Sequence, residues 1–157
     1  MQILENNNAA DPDADLSASS AAWKAILPNK SNDGYTLVTP GTAGTLHWTW
    51  QNGKLTLDTV EPVFDNQYRG TPFKDLAYNA TNLPYIPSIV KELGLFPTGS
   101  DDKTEGAYGQ QMTKNEYFPR RGGGCNGTSN TGLGCVNSVS PRDYAYGDSG
   151  CRPRSLD

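Results

Sequence analysis

The stretch Arg120-Arg121-Gly122-Gly123-Gly124-Cys125 decides the fold of the last third of the chain, together with Arg142 and Gly150-Cys151-Arg152. Guanidinium groups stay charged and bind several oxygen atoms at once, while glycines permit tight bends. Arginines beside glycines therefore predict a rigid frame that ties loops together. The residues between these fixed points are mostly small, polar or aromatic, which suits a contact surface carried on such a frame.

The composition favours a loop-rich globular domain. The chain has 157 residues, about the size of one domain, of which 35% are hydrophobic and 19% charged. Its 17 glycines and 11 prolines favour loops, whereas three Trp, eight Tyr and four Phe are too many aromatic residues for a disordered chain. We expect one domain over residues 21–157, preceded by a polar arm over residues 1–20 that is either a disordered terminus or a tether to a larger assembly.

The charge distribution argues against nucleic acid as a partner. The net charge is −4 and the pI about 4.9. Residues 120–157 contain arginine but no lysine, and a nucleic-acid surface would need a dense basic face. The start of the chain lacks the features of a signal peptide, and no apolar stretch approaches the ~18 residues of a membrane span, so we expect neither export nor membrane insertion.

The three cysteines, Cys125, Cys135 and Cys151, all lie in the last third of the chain. An odd number leaves at least one unpaired or bonded to another chain. Assembly in the cytosol would keep all three as thiols. The pairing, if any, stays open at this point.

A short helix or anchoring turn is predicted over Ala21–Leu27. Trp23 and the pair Ile26-Leu27 recur at helical spacing, and Pro28 cannot continue a helix. A strand is predicted to follow at Tyr35–Val38, where β-branched and aromatic residues dominate.

A β-hairpin is predicted over residues 45–58. Strict alternation places Leu46, Trp48 and Trp50 on one face of the first strand. Asn52-Gly53 supplies the positive φ angles that a two-residue turn needs. Apolar residues then alternate along the second strand, so the hairpin has one face for the core.

His47, the only histidine, falls on the polar face of this hairpin. We expect a solvated side chain there, because a catalytic base would need a partner that this segment does not offer. The acidic pair Asp101-Asp102 lacks the alternating spacing and distal Glu of a calcium loop, so we expect a solvated turn and no metal.

The middle of the chain is predicted to be irregular over Glu61–Tyr85, where proline and glycine recur among aromatic residues. A short helix follows over residues 86–93, with Pro87 in its first turn and Gly94 ending it. A polar loop is expected over Thr98–Gly109.

The order of motifs in the C-terminal part resembles a known family. The motifs are Leu93-Gly94-Leu95-Phe96-Pro97, Phe118-Pro119-Arg120-Arg121-Gly122-Gly123, Gly132, Pro141-Arg142 and Gly150-Cys151-Arg152. They resemble the C-terminal domain of bacteriophage tail-fibre and receptor-binding proteins, which is related to formylglycine-generating enzymes and to the variable proteins of diversity-generating retroelements. The match covers about the last 65 residues. Each motif alone is weak, and the specificity lies in five motifs in the same order.

The resemblance implies an α+β, C-type-lectin-like fold. Such a fold is loop-rich, with short antiparallel strands and one or two short helices, here preceded by the extended N-terminal arm. The Arg-Gly-Gly core would cover residues 118–157. The chain departs from the family's pattern at Cys125, which replaces a Trp, at Cys151, which replaces a Phe, and at Cys135, in a stretch that is often aromatic. Loss of a buried ring costs ~3 kcal/mol or more unless its neighbours compensate.

The resemblance also implies which residues act. Tyrosine gives a large rigid contact area, and Asn and Ser give adaptable hydrogen bonds. The expected ligand contacts are Asn126, Thr128, Ser129, Asn130, Asn137, Asp143, Tyr144, Tyr146 and Asp148. The expected structural residues are Arg121, Gly122, Gly123, Arg142, Gly150 and Arg152.

The sequence does not favour an enzyme. Formylglycine generation uses two closely spaced cysteines, whereas Cys125 and Cys135 lie ten residues apart. We find no Ser/His/Asp set, no metal-ligand spacing and no calcium motif of the lectin type. We therefore expect no catalytic residue, no cofactor and no metal.

Two functions follow as expectations. The favoured one is a phage virion protein of the tail fibre or tail tip that binds a host receptor, either a sugar or a protein. The rival is a structural decoration, collar or baseplate protein that grips neighbouring subunits. Both imply assembly in the host cytoplasm, residence in the virion, contacts to other virion proteins through the arm, and a homo-oligomer, which by analogy is a trimer.

Overall fold

The computed structural model describes residues 4–6, 21, 23–98, 107–112, 117–122 and 132–141. Strands dominate this part of the chain, with one short α-helix and one 3-10 turn at Phe73–Asp75. The elements are β1 (Leu4–Asn6), β2 (Trp23–Pro28), β3 (Tyr35–Val38), β4 (His47–Gln51), β5 (Lys54–Asp58), β6 (Tyr68–Pro72), β7 (Ala77–Tyr78), α1 (Ser88–Glu92), β8 (Ala107–Gln111), β9 (Tyr117–Gly122) and β10 (Gly132–Pro141). No helix in these ranges is long and apolar enough to cross a membrane.

The strands form three small sheets. The first has the order β1-β2-β3 and is antiparallel throughout. The second has the order β4-β5-β7, in which β7 lies parallel to β5. The third has the order β6-β8-β10-β9, with β8 and β10 parallel and the other pairs antiparallel. The chain is thus mostly β, with mixed sheets and little helix.

The predicted hairpin is confirmed as β4 and β5. Asn52 and Gly53 have φ angles of 51° and 75°, the two positive values of a type I′ turn. The register pairs Trp48 with Leu57 and Trp50 with Leu55. The alternation in the sequence therefore predicted both the turn and the face that meets the core.

The hydrophobic core lies against that face. Leu46, Trp48, Leu55 and Leu57 are fully buried, and Trp50 is partly buried against them. Trp48 stacks on Phe96, with ring centroids 6.3 Å apart. Buried residues from later elements complete the cluster: Phe73, Leu76, Leu83, Val90, Leu95 and Met112.

The predicted helix over Ala21–Leu27 is wrong, because Trp23–Pro28 form strand β2. This strand lies between β1 and β3, and its consecutive residues Ala25 and Ile26 are both buried. A strand covered on both faces shows no alternation, so its apolar run mimics one turn of a helix. Six residues are too few for a stable isolated helix, and pairing on both sides decided the outcome.

The predicted helix over residues 86–93 is confirmed in a shorter form, as α1. Pro87 lies at the N-cap position, just before the first turn, and makes no side-chain capping bond. Gly94 ends it with a φ of 59°. The Gly94 N–H donates to the carbonyl of Lys91, and the Leu95 N–H donates to the carbonyl of Val90, both at 2.8 Å. This pair of bonds is a Schellman motif, which explains why glycine stands there.

The boundaries of the predicted loops were too wide. Strand β6 and the short β7 lie within the segment expected to be irregular, and β8 begins at Ala107 within the expected loop Thr98–Gly109. In the predicted arm, Leu4–Asn6 pair with β2, and the remainder of residues 1–20 lies outside the described residues. Asp101 and Asp102 also lie outside them.

Candidate functional site

The Arg-Gly-Gly stretch ends strand β9 and leads into the connection 123–131. Gly122 pairs with Gly132, so the two ends of that connection are held side by side. At the other end of the pair, Tyr117 lies opposite Pro141. The polar stretch singled out in the sequence is therefore rooted on two adjacent antiparallel strands.

Strand β10 departs from regular pairing at two places. It advances from Gly132 to Val136 while β9 advances only from Gly122 to Arg121, and a second register shift follows Asn137. Extra residues in one strand form bulges, which bend the strand and increase its twist. Glycine at positions 132 and 134 suits such a bend. Between the two irregularities, Val136 and Asn137 are paired on both sides, with β8 and with β9.

The structure describes the backbone of three residues of the predicted site. Arg121 and Gly122 lie on β9 and Asn137 lies on β10, where Asn137 pairs with Arg120 and Val136 with Arg121. These residues are thus brought onto neighbouring strands. The remaining predicted residues lie outside the described residues: Gly123, Asn126, Thr128, Ser129, Asn130, Arg142, Asp143, Tyr144, Tyr146, Asp148, Gly150 and Arg152.

The register separates the roots of the two polar segments. Connection 123–131 leaves the sheet at the Gly122–Gly132 pair, whereas residues from Arg142 onward leave it at the Tyr117–Pro141 pair. Six residues of β9 separate these two ends, about 17 Å at ~3.3 Å per residue. The two segments therefore leave the sheet from its opposite ends.

The connection between β5 and β6 lies at the Pro141 end. Strands β8 and β10 run parallel, so the end of β8 at Gln111 and the end of β10 face the same way. Next to Gln111, the N–H of Asn66 donates to the carbonyl of Met112, and the N–H of Met112 donates to that of Gln67, both at 2.9 Å. The 59–67 connection is thereby fixed beside the root of the C-terminal segment.

Sequence reasoning missed a buried carboxylate at the end of β5. Asp58 is 1% exposed, and its Oδ2 accepts from the side-chain amides of Gln51 and Asn79, each at 2.8 Å. Its Oδ1 accepts from the Asn82 amide at 2.9 Å and from the N–H of Thr59 at 2.7 Å. No local pattern joins these positions, since Asn79 and Asn82 look like ordinary turn residues. The one sequence signal for this buried carboxylate was an acidic residue at the end of a strand, on the side that alternation assigns to polar residues.

The four donors leave this carboxylate no chemistry of its own. Burial by itself raises the pKa of Asp58, but the bonds from Asn82, Asn79, Gln51 and the Thr59 N–H outweigh it and keep the pKa below its ordinary value. Four hydrogen bonds occupy all the acceptor positions of a carboxylate. Asp58 therefore acts as a structural anchor that fastens residues 79–82 to the hairpin.

The expectation of a solvated His47 is wrong. The ring is partly buried, and its Nδ1 is buried without a hydrogen-bond partner among the described residues. Burial lowers the pKa of His47 to about 4, although the charge of Asp58, its cross-strand neighbour, acts in the opposite direction. The imidazole is neutral near pH 7, which is the form that burial tolerates. Within the described residues, no three His, Cys, Asp or Glu side chains come together as metal ligands.

A second contact that the sequence did not indicate lies on the inward side of β6. The Arg69 guanidinium lies 5.2 Å above the centre of the Trp50 ring and bonds to Asp65 at 2.6 Å. Cation–π and charge-assisted contacts of this kind fix the arginine in place. Arg69 thus joins the third sheet to the hairpin.

No protein-family model matches the chain, and no curated protein matches it.

Proposed function

We propose that this chain is a non-enzymatic phage virion protein that attaches the particle to a host-cell receptor through a C-type-lectin-like C-terminal domain. The proposal rests first on the order of motifs from Leu93 to Arg152. One structural observation supports it. The Arg-Gly-Gly stretch ends a strand, and the glycine pair Gly122–Gly132 holds both ends of the following polar connection together.

Such an arrangement suits a variable contact surface. Strand pairing determines where the connection begins and ends, so its residues can change without changing the sheet. Connection 123–131 consists of Gly, Asn, Thr and Ser with a single Cys, and such residues give adaptable hydrogen bonds at little steric cost. We therefore propose that Asn126, Thr128, Ser129 and Asn130 contact the receptor.

The C-terminal segment gives the sharper test. We expect the double variant Tyr144→Ala, Tyr146→Ala to bind a panel of bacterial strains at least tenfold more weakly than the unchanged protein. Removing an aromatic anchor from an interface commonly costs 2 kcal/mol or more, and about 1.4 kcal/mol is already a factor of ten. Binding of the purified protein to cells and its competition with phage adsorption are the measurements.

Two tyrosines that are distant in sequence from Tyr144 and Tyr146 provide the matched control. Tyr35 and Tyr85 are 38% and 47% exposed, so Tyr35→Ala, Tyr85→Ala removes two exposed tyrosine rings elsewhere. That variant should bind as the unchanged protein does, and all variants should keep the same thermal midpoint. Undiminished binding by the Tyr144, Tyr146 variant, with the fold intact, would remove these residues from the receptor surface.

A structural virion protein is the second candidate, favoured by apolar side chains on the 59–67 connection. Val60 and Val63 are 54% and 83% exposed. A contact with another subunit would remove these apolar side chains from water. Virus particles assembled with the Val63→Ser variant distinguish the two functions. If the variant protein is not incorporated into particles, the structural role is supported. If particles are normal but adsorb differently to cells, attachment is supported.

A further inference from the structure

Tyr68 takes up the space above a glycine on the neighbouring strand. Gly70 pairs with Gly109 and Tyr68 pairs with Gln111, so Gly109 is the diagonal neighbour of Tyr68. A Cβ atom added to Gly109 would coincide with the Tyr68 hydroxyl and lie only 2.7 Å from the ring carbon Cζ. The tyrosine therefore lies along the sheet, which is possible because residue 109 has no side chain.

A ring that lies along a sheet has one side against the backbone and the other open. Tyr68 is 53% exposed although its hydroxyl end contacts β8. On β6 the other residues in the same phase are Gly70 and Pro72, both exposed, while Arg69 and Thr71 point inward. No bulky side chain of β6 rises beside the ring, so a flat ligand can approach it.

One arginine lies in the same phase of the third sheet as Tyr68. The four strands contain Arg69, Arg120 and Arg121 and no Asp or Glu, but Arg69 points inward and bonds to Asp65. Arg121 belongs to the row of the inward Thr71, which leaves Arg120. One register row crosses the sheet: Gly70, Gly109, Asn137 and Arg120. An amide residue and a guanidinium residue thus share the row that the Tyr68 ring overlies at Gly109.

We propose that this face of the third sheet, centred on Tyr68, binds an acidic saccharide. The open side of an aromatic ring is electron-rich and attracts the C–H groups on one side of a sugar ring. Amide groups hydrogen-bond hydroxyls, and a guanidinium pairs with a carboxylate or phosphate on the sugar. The inference rests on the proposed attachment function and names the class of receptor.

A protein ligand fits this face less well. Stable protein interfaces bury ~800 Å² on each partner and depend on several large anchors. On β6 the exposed phase offers Tyr68 as its single large side chain. One aromatic platform beside glycines is the size of a sugar unit, and Arg120 in the same row favours a sugar that carries negative charge.

The test uses the full chain on an array of purified bacterial surface polysaccharides, acidic and neutral. We expect binding to acidic members, weakened by salt as for other exposed charge contacts. Tyr68→Ala should lose about tenfold or more in affinity, because loss of a stacking ring commonly costs that much. Tyr68→Phe keeps the ring and should stay within about twofold. Gly109→Ala, which displaces the ring, should also bind more weakly.

Tyr85→Ala is the matched control, since Tyr85 is 47% exposed. Thermal unfolding of each variant separates lost binding from lost structure. Because an aromatic ring over a glycine can also stabilise a sheet, a lower midpoint for Tyr68→Ala with unchanged glycan affinity would assign it that role alone and overturn the proposal.

The remaining outcomes distinguish failure of the acidic-saccharide site from failure of the attachment function. Binding only to neutral polysaccharides, or to cells but to no polysaccharide, would overturn the acidic-saccharide site and leave the attachment function in place. Binding to no polysaccharide and to no bacterial strain would remove both.

Discussion

At the scale of single residues, the buried polar side chains depart furthest from what their sequence neighbours suggest. His47 lies on the face of β4 that alternation assigns to solvent, yet its ring is partly buried opposite Asp58. Alternation predicts which side of a strand a residue lies on, but not what later segment covers that side. Residues 79–82 are held near this face by their bonds to Asp58. No local sequence pattern predicts this contact.

The partly buried imidazole makes stability depend on pH. The pKa of His47 is about 4 in the folded chain and 6.5 as the ordinary value, so the unfolded chain takes up the proton first as the pH falls. Stability is therefore fully present above pH 6.5 and declines as the pH falls toward 4. We expect a loss of about 1–3 kcal/mol across this window, after allowance for solvent screening of the ring. Urea unfolding at a series of pH values measures it.

His47→Gln is the control for this prediction. His47 is the only histidine, so the variant should show nearly constant stability between pH 6.5 and 5. The lowered pKa values of Asp58 and Asp65 have their effect below the ordinary value of 3.8, which keeps the two windows apart. An unchanged slope in the variant would show that His47 is not the group responsible.

At the scale of elements, the sequence was informative where one local pattern sufficed. The Asn52-Gly53 turn and Gly94 both need positive φ angles, and both were read correctly because glycine and asparagine tolerate them. The prediction for strand β2 was wrong because both of its faces are covered, which buries the consecutive residues Ala25 and Ile26 and removes the alternation that marks a strand. Strands β6 and β8 were missed because Gly70, Pro72 and Gly109 resemble loop residues until a partner strand is known.

Asp58 holds three elements together, and its removal tests that arrangement. Asp58→Ala would leave the amides of Gln51, Asn79 and Asn82 without this acceptor in a largely buried place. We expect a loss of about 2–4 kcal/mol in the free energy of unfolding, since buried donors without a partner carry their full desolvation cost. Chemical denaturation measures the difference.

An exposed carboxylate gives the comparison for Asp58. Asp75 contacts only the Lys74 amine among the described contacts of its carboxylate, at 3.0 Å and near the surface. Asp75→Ala should change stability by less than about 0.5 kcal/mol. Equal losses in the two variants would mean that the four bonds to Asp58 contribute nothing particular.

At the scale of the whole molecule, the candidate surface arises from pairings between distant parts of the chain. Gly70, Gly109, Asn137 and Arg120 form one row only because β6, β8, β10 and β9 lie side by side. The motif order singled out the Arg-Gly-Gly stretch as part of a rigid frame. Neither its strand nor the parallel pairing of β8 with β10 was predicted, because both depend on long-range contacts that periodicity does not reveal. Separation of the two polar segments to opposite ends of the sheet follows from the same register.

A buried hydroxyl, besides Arg69, connects this sheet to the hairpin that carries the core. The Thr71 Oγ1 on β6 accepts a bond of 2.8 Å from the N–H of Leu55 on β5, and Thr71 is 2% exposed. Thr71→Val keeps the shape and leaves that N–H without an acceptor, so we expect a loss of about 1–3 kcal/mol in unfolding free energy. Thr71→Ser retains the oxygen and should lose less than about 1 kcal/mol. Hydrogen exchange at the Leu55 amide should accelerate in the valine variant alone; equal exchange in both variants would place the connection between the sheets elsewhere.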